Sequence, residues 1–363
     1  RSLRTTESRT IKADIYAAIG DYEKAKEEIK TVIAIKEKLL GGNHVELANS
    51  YTQLALVKYF AGENIKEVEN LMTRAKEIIL ANLGEDNPAY AGALKNLAMA
   101  YIESGKENEA ITALTKADAI WVSKLGDPEN VNSAEIAILM GDIEIRRNRP
   151  DAAIKQYTRA RNIYYKKFSK THPEYVKSIS RLARANYVKR NYRVAKKLSE
   201  EVISDYLSFI EKLFPSLSER EKAKYWQKIR ADFDFYANLA FATNHKKMIG
   251  KVYTNVMSTK GMLLSSSIKI RDKILNSGDS SLIKTYNTWL DKKSLLTKTL
   301  AMSEEQRKAE NLDPKAIEKE IEKLEKELSK SSDFFIAKKL PTWKNIRKQL
   351  KKDEVAVEII RYN

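Results

Sequence analysis

Apolar and small residues recur in the first 205 residues with a period of 42 or 43 positions. The period is marked by a small or β-branched residue at the end of each turn-like stretch: Ala25, Val68, Ala110, Ala153 and Ala195. Four residues later comes a mostly large residue, and seven residues later a small or β-branched one. Such spacings place the side chains on one face of a helix. The pattern predicts five equivalent helices that pack small residues beside large ones.

A second helix is predicted before each of these stretches. It carries a large–small pair eight residues before the turn: Leu54-Ala55, Leu97-Ala98, Met140-Gly141 and Leu182-Ala183. The counterpart in the first repeat, Lys12-Ala13, has no large apolar residue, so this repeat is either a cap or part of a longer array. Two antiparallel helices per repeat predict an all-α, right-handed superhelical solenoid over residues 1–205.

The repeats resemble the tetratricopeptide repeat (TPR) in its 42-residue form, which occurs in kinesin light chains. The resemblance rests on the loops "LGGNHVELA" and "LGEDNPAYA", on the Leu-Ala pair and on the turn "GKENEA". It implies that a protein or peptide partner binds a concave groove lined by the first helix of each repeat. Register places these candidate residues in the groove: Asn49, Thr52, Gln53, Leu56, Lys95, Asn96, Met99, Asp142, Arg146, Lys177, Arg181 and Arg184.

Side-chain chemistry indicates what such a groove binds. The amides of Asn and Gln both donate and accept hydrogen bonds, which suits an extended peptide backbone. Lys177, Arg181 and Arg184 share one helical face, and the guanidinium fork of Arg binds carboxylates. These residues lie in a basic block, because residues 151–200 hold 14 Lys and Arg against 3 Asp and Glu. The expected partner is therefore acidic at that end, and replacing Arg181 and Arg184 by Glu should weaken its binding.

The basic region 155–197 also suits nucleic acid, and the net charge of the whole chain is +17. Nucleic-acid binding would also need exposed aromatic rings near the basic side chains. Tyrosines in the neighbourhood include Tyr157, Tyr164, Tyr165, Tyr175 and Tyr187. We interpret Tyr157 as a packing residue and the others as half-buried between helices. Nucleic-acid binding, or a role as a stand-alone scaffold, is thus the alternative to peptide capture.

Helical patterning continues without a period over residues 206–340. Asp313 and Pro314 predict the start of a helix. Its apolar stripe consists of Ile317, Ile321, Leu324 and Leu328. A stripe of two heptads favours a hairpin within the molecule over a dimeric coiled coil. Residues 341–363 are interpreted as a short helix followed by "DEVAVEIIRYN", whose alternation predicts a closing β-strand.

The order of segments from residue 203 onward resembles a family in which TPR arrays precede a CHAT domain, a caspase/separase-like peptidase. The matching stretches include "LFPSLSEREKAKYW", "LEKELSKSS" and "TWKNIRKQLKKDEVAVEIIRY". The resemblance implies that residues 341–363 begin a truncated CHAT-like domain, with "VAVEIIRY" as its first strand. It further implies that the chain is the regulatory arm of a cysteine protease.

The residues that the chain lacks exclude several kinds of chemistry. It has no cysteine and therefore no thiolate nucleophile, so this chain is not expected to be an enzyme by itself. His44 and His172 fall at matching places in the repeat, which indicates a structural role. No cofactor or metal site is predicted. No apolar run approaches the ~20 residues of a membrane span, and a cytoplasmic location is expected.

Overall fold

A computed structural model describes residues 3–18, 22–170, 172–213, 219–302, 304–330 and 342–357. These residues are helical apart from short connections, and none of them lies in a β-strand. The predicted all-α class is therefore confirmed for the described part of the chain. The chain divides into two compact units, Arg1–Lys189 and Arg190–Asn363.

Over its described residues the first unit consists of nine helices. They are α1 (Leu3–Ala18), α2 (Tyr22–Leu40), α3 (Val45–Phe60), α4 (Ile65–Leu83), α5 (Pro88–Glu103), α6 (Glu107–Leu125), α7 (Val131–Arg146), α8 (Pro150–Lys167) and α9 (Pro173–Val188). Each helix packs against the next one in the chain, and α5 also contacts both α3 and α7. The odd-numbered helices are the predicted first helices of the repeats, and the even-numbered helices are the second ones. The predicted helix pairs are therefore confirmed for repeats 1 to 4.

The core lies where the repeat pattern predicts it, between first and second helices. In α4, Val68, Met72 and Ala75 are each at most 1% exposed. The equivalent residues of the other second helices in the first unit are also buried: Ala25, Ile29, Val32, Ala110, Leu114, Ala117, Ala153, Tyr157 and Ala160. Small residues allow the neighbouring helix to approach, and the large residue between them fills the remaining space. The small–large–small prediction is confirmed.

The matching histidines cap helices. His44 precedes α3, and its Nδ1 accepts a hydrogen bond from the backbone N–H of Glu46 at 3.2 Å. His172 precedes α9 and accepts in the same way from the N–H of Glu174 at 3.3 Å. Each imidazole thereby satisfies an N–H group that has no partner within its helix. The structural interpretation of these two residues is confirmed.

The turn between the two helices of a repeat requires a left-handed backbone. Gly62 and Gly105 have φ values of 72° and 73° at this point, and Asn148 and Arg190 occupy the equivalent position at 57° and 62°. Glycine adopts this conformation without penalty, and asparagine tolerates it better than most other residues. Arginine has no such advantage, so the turn at Arg190 carries local backbone strain.

Arg190→Gly should therefore stabilise the chain, by about 0.5–1 kcal/mol. Part of the relief is lost because glycine also gains freedom in the unfolded chain. Urea denaturation followed by circular dichroism measures the change. Arg193→Gly is the matched control: Arg193 is an exposed residue within the helix that follows this turn, so glycine there should destabilise. Equal losses of stability in both variants would contradict the prediction.

Over its described residues the second unit consists of seven helices. They are α10 (Tyr192–Leu213), α11 (Glu219–Ala242), α12 (Lys246–Leu275), α13 (Ser280–Ala301), α14 (Glu304–Ala309), α15 (Pro314–Lys330) and α16 (Trp343–Gln349). Helix α15 begins at Pro314 as predicted, and the Asp313 carboxylate accepts from the N–H of Lys315 at 2.9 Å. The apolar stripe of α15 packs against Tyr286 and Trp289 of α13. Residues 214–218 and 331–341 lie outside the described residues.

The predicted closing strand is wrong over its described part, residues 353–357. Asp353 lies in a turn, and residues 354–357 have no regular secondary structure. Val355 and Val357 are 81% and 77% exposed. An extended segment becomes a strand when a neighbour satisfies its backbone hydrogen bonds, and no described residue pairs with it. Residues 358–363 of the predicted strand lie outside the described residues.

Candidate partner-binding face

The candidate residues lie on the first helices of the repeats. We call the surface formed by α1, α3, α5, α7 and α9 the first-helix face. Polar side chains on it form contacts between successive first helices, which we call rungs. The rungs are Gln53–Asp14, Lys95–Glu135, Arg146–Glu103 and Arg181–Asp142. Each rung joins residues that are about one repeat apart in sequence, so the structure brings together side chains that local sequence patterns keep separate.

The rungs use polar candidates that the sequence predicts as partner-binding, all of them charged except Gln53. The amide of Gln53 donates to Asp14 at 2.5 Å, and Lys95 forms an ion pair with Glu135. Arg146 Nη2 lies 2.6 Å from Glu103 Oε1. In these positions the charges hold neighbouring repeats together. Exposed ion pairs of this kind each contribute little to the free energy of folding, about 0–1 kcal/mol.

The Arg181–Asp142 rung is the most elaborate of the four. Arg181 Nε and Nη2 donate to the Asp142 carboxylate at 2.9 and 3.2 Å. The hydroxyl of buried Tyr157, from α8, donates to the same carboxylate at 2.6 Å. Burial raises the pKa of Tyr157, and the charge of Asp142 raises it further, so the phenol keeps its proton and remains a donor. This network connects α7, α8 and α9.

The predicted acidic-ligand site at α9 is engaged within the chain. Lys177 lies 2.6 Å from the Glu174 carboxylate, one turn away on the same helix. Arg181 is held by Asp142, and Arg184 also interacts with other residues of the chain. The three cations share a helical face as predicted. That an acidic partner binds them stays a prediction.

Apart from Gln53, the uncharged candidates behave differently from the charged ones. Within the described part of the chain, the side chains of Asn49, Thr52 and Asn96 have no hydrogen-bond partner. Asn49 is exposed, whereas Thr52 and Asn96 are half-buried. Leu56 and Met99 are also half-buried. The first-helix face therefore pairs its charges internally and leaves neutral amides, a hydroxyl and apolar side chains open to a partner.

Sequence reasoning missed four residues of this face. Asp14, Glu103 and Glu135 are the rung partners, and Leu139 of α7 occupies the position equivalent to Gln53, Asn96 and Arg181. The repeat period could have identified Leu139 as a residue of this face, because it lies one repeat after Asn96. The rung partners have a weaker signal: opposite charges or amides separated by 39 to 43 residues.

Part of the basic block is also neutralised by acidic residues that precede it in the chain. Arg159 pairs with Asp118, and Lys189 pairs with Asp151. Lys166 and Lys167 pair with Glu129 and Asp127. The excess of positive charge in this stretch of sequence is therefore offset in part by acidic residues of repeats 3 and 4.

The aromatic side chains of the basic block stack on their neighbours. Tyr164 and Tyr175 are buried, but Tyr165 is 53% exposed, so its predicted half-buried position is wrong. Its ring lies beside Tyr175, and Lys170 Nζ lies 5.7 Å from its centroid. Phe168 stacks on Tyr164 and on His172, at centroid distances of 6.2 and 3.9 Å. These ring contacts within the chain compete with stacking of Phe168 on a base.

The described part of the chain contains neither a candidate membrane span nor a candidate metal cluster. No helix there is long and apolar enough to cross a membrane. No group of three His, Cys, Asp or Glu side chains there is arranged to hold a metal ion.

Solved structures with similar backbones include several repeat proteins. A Podosopora anserina protein with kinesin light chain nearly identical TPR-like repeats is 22% identical; the match covers 58% of this chain and 98% of that chain, with a TM-score of 0.47. BtubC from P. vanneervenii is 17% identical over 56% of this chain and 80% of its own, with a TM-score of 0.48. The Rap conjugation gene regulator of plasmid pLS20, in complex with the Phr* peptide, is 12% identical over 73% and 74%, with a TM-score of 0.43. At these values the likenesses carry no argument about function.

Family comparison agrees with the repeat register. Comparison with curated protein sequences gives no match. Residues 5–81 and 91–166 match the tetratricopeptide repeat family. These two segments contain α1 to α8, the four helix pairs whose packing follows the 42-to-43-residue period. The chain therefore carries tetratricopeptide repeats over residues 5–81 and 91–166, as the sequence predicts.

Proposed function

We propose that this chain is a protein-interaction scaffold whose first-helix face binds a polypeptide segment of a partner. The proposal is carried by one observation: Asn49, Thr52 and Asn96 present neutral hydrogen-bonding groups without partners among the described residues. An amide can donate to a carbonyl and accept from an N–H group, which matches the repeating needs of a peptide backbone. The TPR family of residues 5–81 and 91–166 supports the same function.

The position of Asn96 gives this proposal its physical basis. Asn96 lies on α5, which contacts both α3 and α7, so its amide is at the centre of the first-helix face. It is half-buried, and a bound segment would therefore remove it from water. A hydrogen bond made there has less competition from solvent than one made by a fully exposed side chain. Thr52 and Asn49 extend the same row of polar groups along α3.

Asn96→Ala should weaken binding of a captured peptide by about tenfold, because two backbone hydrogen bonds lose their partner. Peptides can be selected from a random display library with the full chain as bait, and their affinities measured by fluorescence anisotropy. Asn70→Ala is the matched control, since Asn70 is exposed on the second helix α4. If both substitutions change the affinity equally, or if no peptide is selected, the proposal is wrong.

A finer proposal is that the scaffold regulates a CHAT-type peptidase. Its support is the resemblance of residues 203–363 to the segments that precede and begin a CHAT domain. The chain has no cysteine, so the peptidase nucleophile would have to be supplied by residues outside it. Sequencing the gene beyond the codon for Asn363 tests this directly. The expected result is a strand-rich coding region with a His and a Cys; a downstream sequence without them would refute it.

A further inference from the structure

We infer that the centre of the first-helix face, on α3, α5 and α7, binds an uncharged segment anchored by a large apolar side chain. This inference rests on the proposed function and specifies the chemistry of the partner. It differs from the acidic partner expected from the sequence, because the structure pairs Lys95, Arg146, Lys177 and Arg181 with carboxylates of the same chain.

The rungs provide no surplus of positive charge. They contain the carboxylates Asp14, Glu103, Glu135 and Asp142 and the cations Lys95, Arg146 and Arg181. Four negative groups thus oppose three positive ones. An acidic segment placed along this face would lose part of its hydration without gaining an unpaired cation. A basic segment would in turn have to compete with the three cations for the carboxylates.

Register shows which residues occupy, at the centre of the face, the row of positions that forms the Gln53–Asp14 and Arg181–Asp142 rungs at its two ends. Gln53 and Asp14 are 39 residues apart, and so are Arg181 and Asp142, because both rungs use equivalent repeat positions. The two equivalent pairs between them are Asn96 with Leu56 and Leu139 with Met99. These central positions therefore carry three apolar side chains and one neutral amide. The same row changes from polar at both ends to apolar in the middle.

The central apolar side chains keep part of their surface accessible. Leu56 packs on a core cluster with Met72 and Leu97, and Leu139 packs on the main core of the unit. Both, like Met99, are half-buried rather than buried. An apolar group that covers them gains hydrophobic free energy in proportion to the area removed from water. The inner surfaces of Leu56 and Leu139 already pack on the core, so these two side chains are preorganised to contact such a group.

An exposed aromatic residue extends this apolar surface. Phe60 occupies the repeat position of Glu103 and Arg146, which form a rung, so it lies on the same face. It is 60% exposed, and its ring contacts the edge of Tyr59 at a centroid distance of 5.4 Å. Burial raises the pKa of Tyr59, and the charge of Glu103 raises it further, so this ring stays neutral. Phe60 and Tyr59 offer a second apolar contact beside Leu56.

The inference is tested by the composition of selected peptides. Random peptides displayed on phage are selected with the full chain as bait, at low and at high salt. We expect the enriched peptides to share a Leu, Ile, Met or Phe flanked by uncharged residues, with similar enrichment at both salt concentrations. Enrichment of acidic peptides, with affinity that falls as salt rises or on Arg181→Glu, overturns the inference in favour of the acidic partner. Enrichment of basic peptides overturns it as well.

Substitutions distinguish failure of this inference from failure of the proposed function. Met99→Asp should lower the affinity for an enriched peptide by about tenfold. Leu125→Asp, at an exposed leucine at the end of α6, is the matched control and should leave the affinity unchanged. Circular dichroism verifies that both variants remain folded. If charged peptides bind and Asn96→Ala weakens them, the function stands and this inference fails. If no peptide is enriched, or if neither Asn96→Ala nor Met99→Asp affects binding, both fail.

Discussion

Gly141→Ala should lower the free energy of unfolding by about 1–3 kcal/mol. A Cβ atom at this position would lie 2.4 to 2.8 Å from three ring atoms of Tyr157, closer than van der Waals contact allows. The Tyr157 ring is 3% exposed and its hydroxyl is bound to Asp142, so it has little room to move. Urea denaturation followed by circular dichroism measures the loss. The expected direction is opposite to that of an ordinary Gly→Ala change within a helix, which stabilises by up to about 1 kcal/mol.

Gly92→Ala and a double variant isolate the clash. A Cβ at Gly92, also inside a helix, would have its nearest neighbour 3.9 Å away, so this variant should gain stability. Tyr157→Leu restores the kind of residue found at Leu114, the equivalent position of repeat 3. In that background Gly141→Ala should become neutral or favourable, which a double-mutant cycle would report. If Gly141→Ala is harmless beside Tyr157, the close approach is not a constraint on stability.

This position illustrates which features of the fold the sequence can predict. The period, the helix pairs, the buried faces and the capping histidines all follow from residues that recur at fixed spacing. Gly141 and Tyr157 depart from the repeat pattern in a correlated way: one residue is smaller than usual and the other larger. The sequence displays both departures, but only the packed helices show that one compensates for the other.

The candidate site was predictable as a surface but not in its charge state. Repeat register identifies the first-helix residues, because their spacing fixes which face they occupy. It does not reveal that Arg181 is held by Asp142 or Lys95 by Glu135, since these partners are about 40 residues apart. Clustered cations in a sequence therefore suggest an acidic ligand even when the fold supplies the counter-charge. The closing strand failed for a related reason, because its formation depends on a partner that its own sequence does not specify.

Gly250→Ala should release the short helix α16 from α12. A Cβ at Gly250 would lie 2.6 to 2.9 Å from three atoms of the Trp343 indole. The backbone N–H of Trp343 also donates to Thr254 Oγ1 at 3.0 Å. No residue of α16 is fully buried, so the contact of its first residue contributes much of the free energy that holds it in place. Loss of a partly buried indole contact should increase the local opening of α16 by roughly tenfold or more.

Amide hydrogen exchange of residues 343–349 measures this opening, and Trp343→Ala should produce a similar increase. Combining the two substitutions supplies the decisive comparison. Without the indole, Ala at position 250 meets no obstruction from Trp343 and should instead stabilise α12 through its higher helix propensity, by about 1 kcal/mol. In the Trp343→Ala background, Gly250→Ala should therefore stabilise α12 and should cause no further increase in the exchange of residues 343–349. Unchanged exchange of α16 in the Gly250→Ala variant would mean that the Trp343 indole does not hold this helix against α12. The glycine at position 250 would then not be explained by its close approach to Trp343.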